Sequence, residues 1–369
     1  MKDKQVNIWS YLEEYAEYED EIINIVKRVF KSGKLILGSN VNGFEEEFSK
    51  WIGSGFGTGV GNGTDAIKLA LISTGIKKND EVITVSNTAV PTISAIIDCG
   101  AKPVFCDVDP ETYNIDTNKI EELITSKTKA IVAVHLYGYP ADIKNLKKIC
   151  KNYNLVFIED CAQAHGSKYK NKKCGDFGNA SAFSFYPTKT LGGYGDGGLV
   201  YTKSRKVDEK LKMLRFYGMK DTYFSEIDGI NSRLDEVQAA ILRFKLKRLD
   251  DDIAKRRKIA EIYNSELNYS ELSLPVEKKD YFHSYYLYVV RHPNRDKIIK
   301  NLKKNNINVN ISYPWPIHTM PPFKKYSYKN LKNTEKLSNE IFSLPMYPKL
   351  EESQIQRTIE VLKKSINLK

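Results

Sequence analysis

Nothing in this chain reads as a membrane anchor, a disulfide scaffold or a nucleic-acid tail. No stretch of its 369 residues is long and apolar enough to span a bilayer. Met1 to Ser10 carries charges where a secretory leader needs an apolar core. Cysteine is scarce: Cys99, Cys106, Cys150, Cys161 and Cys174 form an odd set without a close CxxC pair, which excludes a disulfide framework and a zinc knuckle. A reducing compartment follows, and a cytoplasmic protein is expected. Continuous basic blocks are also missing, although the formal charge is +11. The lysines are dispersed in mixed-sign runs such as Arg248 to Arg257, so the excess reads as solvated faces, and no nucleic-acid partner is expected. Internal repeats and low-complexity segments are absent too. What is present, 41% hydrophobic and 28% charged residues, is the composition of a globular chain long enough for a large domain and a smaller one.

The periodicities place an amphipathic helix at Tyr11 to Lys31, with Ile22, Ile25, Val26 and Val29 on one face. From Glu81 onward, β and α patterns alternate. Strands are expected at Glu81 to Val85, Pro103 to Val108, Ala130 to Leu136, Leu155 to Glu159 and 181–185. Helices are expected at Pro91 to Cys99, Thr117 to Ile124 and Ala141 to Tyr153. The strands are near-continuous apolar runs, the mark of a mainly parallel sheet covered on both faces. A long helical stretch, Leu234 to Leu267, leads to a smaller α+β region. That region has strands at Tyr285 to Arg291 and Asn308 to Tyr313, and helices at Asp296 to Asn305, Glu335 to Phe342 and Glu352 to Ile366.

One stretch, Ser184 to Gly198, encloses a single lysine, Lys189, between a proline turn and a run of glycines. A lysine so placed and partly desolvated can form an imine with an aldehyde cofactor. Upstream, the strand ending at Asp160 delivers a carboxylate beyond an apolar run, with Gln163 and His165 following. A glycine-rich turn through Gly63 and Thr64 opens a helix whose free N–H groups suit a phosphate. Pyridoxal phosphate (PLP) needs a lysine, an acid under the ring nitrogen, a polar contact to the ring oxygen and donors for the phosphate. Lys189, Asp160, Gln163 and the Gly63–Thr64 turn with Ser184 could supply all four. Taken singly, each has a plainer reading as a cap, a solvated side chain or a strand end. Cys161 and His165 lack a complementary ligand cluster, so no metal is expected.

Nearly the whole chain resembles the DegT-type nucleotide-sugar aminotransferases. The resemblance runs through Gly63 to Ala66, Gly100 to Pro103, Val134 to Gly138, Glu159 to Gly166, the lysine stretch and Asn231 to Ala240. It implies an α/β, aspartate aminotransferase-like fold (PLP fold type I). A large domain with a mainly parallel seven-stranded sheet would span 1–250, and a small C-terminal α+β domain 251–369. The helix at 11–31 would pack on the small domain or a dimer partner. By this similarity Lys189 carries the cofactor covalently, Asp160 pairs with the ring nitrogen, Gln163 contacts the ring hydroxyl, and Gly63, Thr64 and Ser184 hold the phosphate. Asn231 would reach the phosphate of a neighbouring subunit, implying a homodimer with a shared active site. Glutamate would be the amino donor.

Within the family, Val85 to Ile93 and Ser284 to Arg291 look most like the members acting on dTDP-linked 3-keto-6-deoxyhexoses. Many other members place an aromatic residue where Ala89 stands, to stack on the cofactor ring. Tyr313 and His318 lie in a stretch resembling the loop that borders the sugar nucleotide, and Arg233 and Arg215 are candidate diphosphate or donor-carboxylate partners. The alternatives are a 4-keto-sugar aminotransferase, a PLP sugar dehydratase and a non-catalytic regulatory protein on the same fold. The dehydratase would carry histidine in place of Lys189.

Overall fold

The computed structural model describes residues 5–221, 223–268, 271–327 and 330–366. The first four residues of the charged N-terminal stretch therefore lie outside the described residues. Seven strands form the central sheet: β1 (Phe56–Val60), β2 (Glu81–Val85), β3 (Lys102–Cys106), β4 (Thr128–Val134), β5 (Val156–Asp160), β6 (Ala180–Ser184) and β7 (Gly198–Thr202). Their spatial order is β1-β7-β6-β5-β4-β2-β3, and β7 alone runs against its neighbours. The expected mainly parallel sheet is thus the observed one. Its strands are apolar on both faces because both are covered. Along β4, Ala130 and Val132 face one core, with Leu69, Ile93 and Ile96, while Ile131 and Ala133 face another, with Leu146 and Ile149.

Helices α1 (Leu12–Glu17) and α2 (Glu19–Lys31) replace the single helix expected at Tyr11 to Lys31, with the break at Tyr18. The Tyr18 ring turns to Phe244, and the Arg248 guanidinium lies 3.9 Å from its centre. The apolar face of α2, Ile25 and Val29, packs on Ala240 and Ile241, while Glu17 of α1 ion-pairs with Lys349. This N-terminal segment therefore ties two distant parts of its own chain together. Next come α3 (Ser39–Ile52), α4 (Gly63–Ser73), α5 (Val90–Asp98), α6 (Ile143–Tyr153) and α7 (Arg205–Leu214). The stretch expected as a helix at Thr117 to Ile124 is two separate 3-10 turns.

After β7 the chain forms a small hairpin, β8 (Met219–Asp221) with β9 (Phe224–Ser225). The long helix expected at Leu234 to Leu267 is two helices, α8 (Glu236–Leu246) and α9 (Leu249–Leu267). Asp250, Asp251 and Asp252 favour a fresh helix start at Leu249 by facing its N-terminal dipole. A further core, away from the sheet, gathers Tyr263 of α9 with Tyr288, Phe342 and Leu362. The last three come from β10 (Tyr288–Arg291), β11 (Ile341–Leu344) and α12 (Glu352–Ile366), and α10 (Arg295–Lys304) and α11 (Lys332–Glu340) lie between β10 and β11 in the chain. Val6 joins this core and bridges to Ile307.

Two expectations fail here. Asn308 to Tyr313 forms only a single bridge, Asn310 to Ser343, because the chain turns to bring Tyr313 onto Gln163. The helix expected to reach Phe342 stops at Glu340, and Ile341 and Phe342 enter β11, paired with β10. Among the described residues, no helix is long and apolar enough to cross a membrane.

Candidate active site

Register builds the site. Val134 lies beside Asp160, Asp160 beside Ala182, Ser184 beside Gly198, and Gly198 beside Val60. The strand ends therefore align, and the chain leaving Val60 turns at once into α4 next to Ser184. They open onto a cleft of about 260 Å³ whose walls include Gly63, Thr64, Asp160, Gln163, Ser184 and Lys189. Six residues singled out from sequence, spread over more than a hundred positions, meet there.

The start of α4 faces this cleft. Asn62, rather than Thr64, caps the helix: its Oδ1 accepts the Asp65 N–H at 2.9 Å. The Ala66 N–H reaches the Asn62 carbonyl at 3.1 Å. The N–H groups of Gly63 and Thr64 come first in the helix and have no carbonyl one turn earlier to reach. A Cβ on Gly63 would stand 2.7 Å from the Ser184 Cβ, so glycine is what lets the helix start lie against that serine. Free N–H groups, a hydroxyl and the helix dipole converge on one spot, which fits a phosphate.

Asp160 is the last residue of β5 and is 3% exposed. Burial pushes its pKa up, opposed by the Ala162 N–H on Oδ1 at 3.1 Å and by the Thr92 hydroxyl on Oδ2 at 2.8 Å. Gln163 Oε1 accepts the Tyr137 N–H at 2.8 Å, and its Nε2 donates to Tyr313 Oη at 2.8 Å. One Nε2 proton is left over. The lysine turn is closed by bonds from the Lys189 N–H to the Tyr186 carbonyl and from the Gly193 N–H to the Phe185 carbonyl, both 2.8 Å. Gly192 makes this tightness feasible, since a Cβ there would lie 2.3 Å from the Pro187 carbonyl oxygen. Lys189 is half-buried, with Nζ 4.9 Å from the centre of the Tyr286 ring. The residues present therefore fit PLP: an amine, a buried carboxylate, a spare amide proton and a phosphate cradle.

Other sequence candidates lie elsewhere. Arg215 is buried, where Nη1 pairs with Glu45 and also donates to the Gly59 carbonyl at 2.8 Å. Buried in that pair and not among the residues lining the cleft, Arg215 is not placed to meet a diphosphate there, so this expectation is corrected. His318 is likewise buried, with Nδ1 2.7 Å from Ser86 Oγ and Nε2 3.1 Å from Glu335. Both ring nitrogens are used, so it braces its loop instead of facing a substrate. Tyr313 does reach the site, through Gln163. Asn231 is exposed, and Arg233 lies over the Phe216 ring at 5.3 Å; Ser232 between them donates to Asp65 Oδ2 at 2.6 Å. Among the described residues, His135, Glu159 and Cys161 bring three potential metal ligands together. Glu159, however, already accepts from His135 and from the N–H groups of Gly175, Phe177 and Gly178, which leaves it no lone pair for a cation.

The site also holds residues that sequence reasoning missed: Thr88, Thr92, Asp196 and Tyr186 line it, and Ala89 offers no ring to that wall. Only the spacing of Thr88 and Thr92, one helical turn apart, was a visible signal.

Comparison with known proteins agrees with this geometry. A dTDP-3-amino-3,4,6-trideoxy-alpha-D-glucose transaminase of Micromonospora megalomicea subsp. nigra is 48% identical over 97% of this chain and 98% of its own. A pleiotropic regulatory protein of Geobacillus stearothermophilus is 42% identical over 94% of this chain and 95% of its own. The crystal structure of S. venezuelae DesV in complex with a ketimine intermediate superposes with a TM-score of 0.97 at 36% identity, covering all of both chains. The expected aminotransferase architecture is therefore the observed one. Residues 16–363 match the DegT/DnrJ/EryC1/StrS aminotransferase family, and the chain belongs to it.

Proposed function

We propose that this chain is a PLP-dependent aminotransferase that moves an amino group from glutamate to a dTDP-linked 3-keto-6-deoxyhexose, giving a dTDP-3-amino-3,6-dideoxyhexose. The observation that carries the reading is the meeting of Lys189, the buried carboxylate of Asp160 and the start of α4 in one cleft. Gly63, Thr64 and Ser184 hold the phosphate in this reading, Asp160 faces the ring nitrogen, and the spare Gln163 Nε2 proton serves the ring oxygen. When bound, PLP supplies an aldehyde that exchanges between amines and a ring that takes up an electron pair. Lys189 Nζ tethers the cofactor at rest. Once displaced by the donor amine, it removes the donor's α-proton, and in the second half-reaction it delivers a proton to the former keto carbon.

The Micromonospora relative, named for a 3-amino sugar, supports amination at C3 over C4. Arg233 and Tyr313 remain the substrate contacts of choice; Arg215 and His318 do not. Asn231, exposed beside the start of α4, reaches a second copy's phosphate in this reading, which makes the enzyme a homodimer with shared sites. We place the enzyme in the cytoplasm and the boundary between its large and small domains near residue 250. The G. stearothermophilus relative is named as a regulator; a regulator without chemistry has no use for a lysine and a buried acid facing one cleft.

The test is product analysis. Purified, PLP-loaded protein is given glutamate and each of a panel of dTDP-linked 3-keto and 4-keto sugars, with the amino position assigned by NMR. A 3-amino product, lost in Lys189→Ala, is expected. A 4-amino product overturns the C3 assignment, and no amino sugar from any of them moves the weight to the regulatory reading.

A further inference from the structure

Two buried hydroxyls at this site have no role in the reading above. Thr88 and Thr92 are 2% and 1% exposed and both line the cleft. Thr88 lies in the turn after β2, and Thr92 lies in the first turn of α5. Their Oγ1 atoms are 3.0 Å apart, and Thr92 Oγ1 donates to Asp160 Oδ2 at 2.8 Å. A hydroxyl has one proton to give. Since Thr92 gives its proton to the carboxylate, the bond between the threonines has Thr88 as donor. The chain thus has a direction, from Thr88 through Thr92 to Asp160.

Neither local reason for a threonine applies to Thr92. A hydroxyl within a helix usually returns to its own backbone, but this one crosses to a residue 68 positions away. The other buried positions after it on α5, Ile93, Ala95 and Ile96, are apolar, and an unpaired hydroxyl among them would be costly. Valine has the same shape and would suit the packing alone.

We propose that Thr92, oriented by Thr88, is a positioning residue for the reaction, fixing the Asp160 carboxylate in the rotation that meets the ring nitrogen of PLP. With Oδ2 held by Thr92 and Oδ1 by the Ala162 N–H, the carboxylate cannot swing out of its plane. Burial, which disfavours charge on Asp160, is opposed by these same two donors. The inference rests on the cofactor reading above and deepens it.

The experiment measures PLP dissociation constants by equilibrium dialysis, and bound-PLP absorption spectra across pH, for wild type, T88V, T92V, T92S and T88V/T92V. Folding is checked by thermal melting. A hydrogen bond to a charged group predicts at least about tenfold weaker PLP retention in T92V, with a pH-shifted spectrum. T92S should restore both. T88V should cost less, roughly two- to fivefold, and because Thr88 acts through Thr92 the double variant should bind no worse than T92V. If T92V proves too unstable to purify, T92A carries the same prediction. PLP binding and spectra unchanged in T92V overturn the role of Thr92, and T88V and T92V losses that multiply in the double variant overturn its orientation by Thr88. A wild-type chain that binds no PLP overturns the cofactor reading itself, and the two failures are distinguishable.

Discussion

Gly63→Ala tests the phosphate cradle most directly, because its effect can be worked from distances. The new methyl would stand 2.7 Å from the Ser184 Cβ and 3.0 Å from its Oγ. Carbon atoms prefer about 3.5–4.0 Å, so one side must yield by about 1 Å. Ser184 cannot back away, since it is paired with Gly198, where a Cβ would itself lie 2.3 Å from the Asn62 carbonyl oxygen. The start of α4 must move. Overpacking of this kind costs about 1–3 kcal/mol, and the better helix propensity of alanine returns at most about 1 kcal/mol. A net loss of about 1–2 kcal/mol is expected, read as a lowered urea midpoint. The displaced turn carries the Gly63 and Thr64 N–H groups, so PLP affinity measured by equilibrium dialysis should fall at least about tenfold. Adding Ser184→Gly removes the obstructing atoms. Stability should then recover while PLP affinity does not, because the serine hydroxyl is gone. An unchanged midpoint and unchanged PLP affinity in Gly63→Ala would refute the reasoning.

Three further outcomes follow from the same geometry. Arg215→Met leaves the buried Glu45 carboxylate without its cation and should cost about 3–5 kcal/mol in denaturant titrations; a loss of sugar-nucleotide affinity at full stability would return Arg215 to the binding set. His165 is buried against Phe48, Phe183 and Phe185, and burial, with the charge of Lys189, holds its pKa down to about 3. The unfolded chain takes up this proton near pH 6.5, so stability is full above that pH and drops by up to about 1.4 kcal/mol per unit as pH falls towards 3. His165→Phe should flatten this acid limb, although His283, also held down to about 3, keeps part of it in both proteins; identical slopes between pH 6.5 and 5 would contradict the assignment. Tyr286→Ala removes the ring beneath Lys189 Nζ, whose π face favours the ammonium over the reactive neutral amine, and should speed PLP capture by the apoprotein several-fold, with Tyr286→Phe near wild type because it keeps the ring and loses only the 3.2 Å contact to Thr188; equal capture rates for wild type and Tyr286→Ala in stopped-flow absorbance would dismiss the contact.

The parallel sheet was legible because strands buried on both faces are written as apolar runs, and β2 was placed to the residue. β1 was not, since two glycines interrupt the strand-favouring Phe, Thr and Val of Phe-Gly-Thr-Gly-Val; its glycines admit other side chains, as Gly57 does Ser49 at 2.5 Å from where a Cβ would be. The helix breaks at Tyr18 and at Lys247–Arg248 were invisible for a related reason. The first depends on a ring and a charge from a remote segment, Phe244 and Arg248 against Tyr18, and the second has as its local mark only the acids Asp250 to Asp252 within a mixed-sign run. Lys189, Asp160 and the Gly63 turn stood out because unusual backbone chemistry is written locally. Arg215 looked like a ligand because an arginine's partner, here Glu45 at a distance of 170 positions, leaves no local trace.

The cleft itself shows why local reading runs out. The strand ends form its walls, but two of its residues, Lys189 and Gln163, are also met by Tyr286 and Tyr313 from the C-terminal part of the chain. The Ser284 N–H donates to the Gly138 carbonyl at 3.0 Å and the Leu287 N–H to the Tyr137 carbonyl at 3.2 Å. These bonds hold the segment that carries Tyr286 over Lys189. Behind it, the buried Arg256 of α9 donates to the carbonyls of Tyr285, Tyr286 and Met346, at 3.2, 3.2 and 3.0 Å. On the other side, Tyr137 Oη donates to the Ser312 carbonyl, which places Tyr313 where Gln163 can reach it. Tyr137 thus joins three partners: its amide orients Gln163, its carbonyl docks Leu287 and its hydroxyl holds the Tyr313 loop. A residue with three such duties in a tight turn is constrained by geometry more than by chemistry, and its left-handed backbone, φ 60°, is the cost of aiming all three at once.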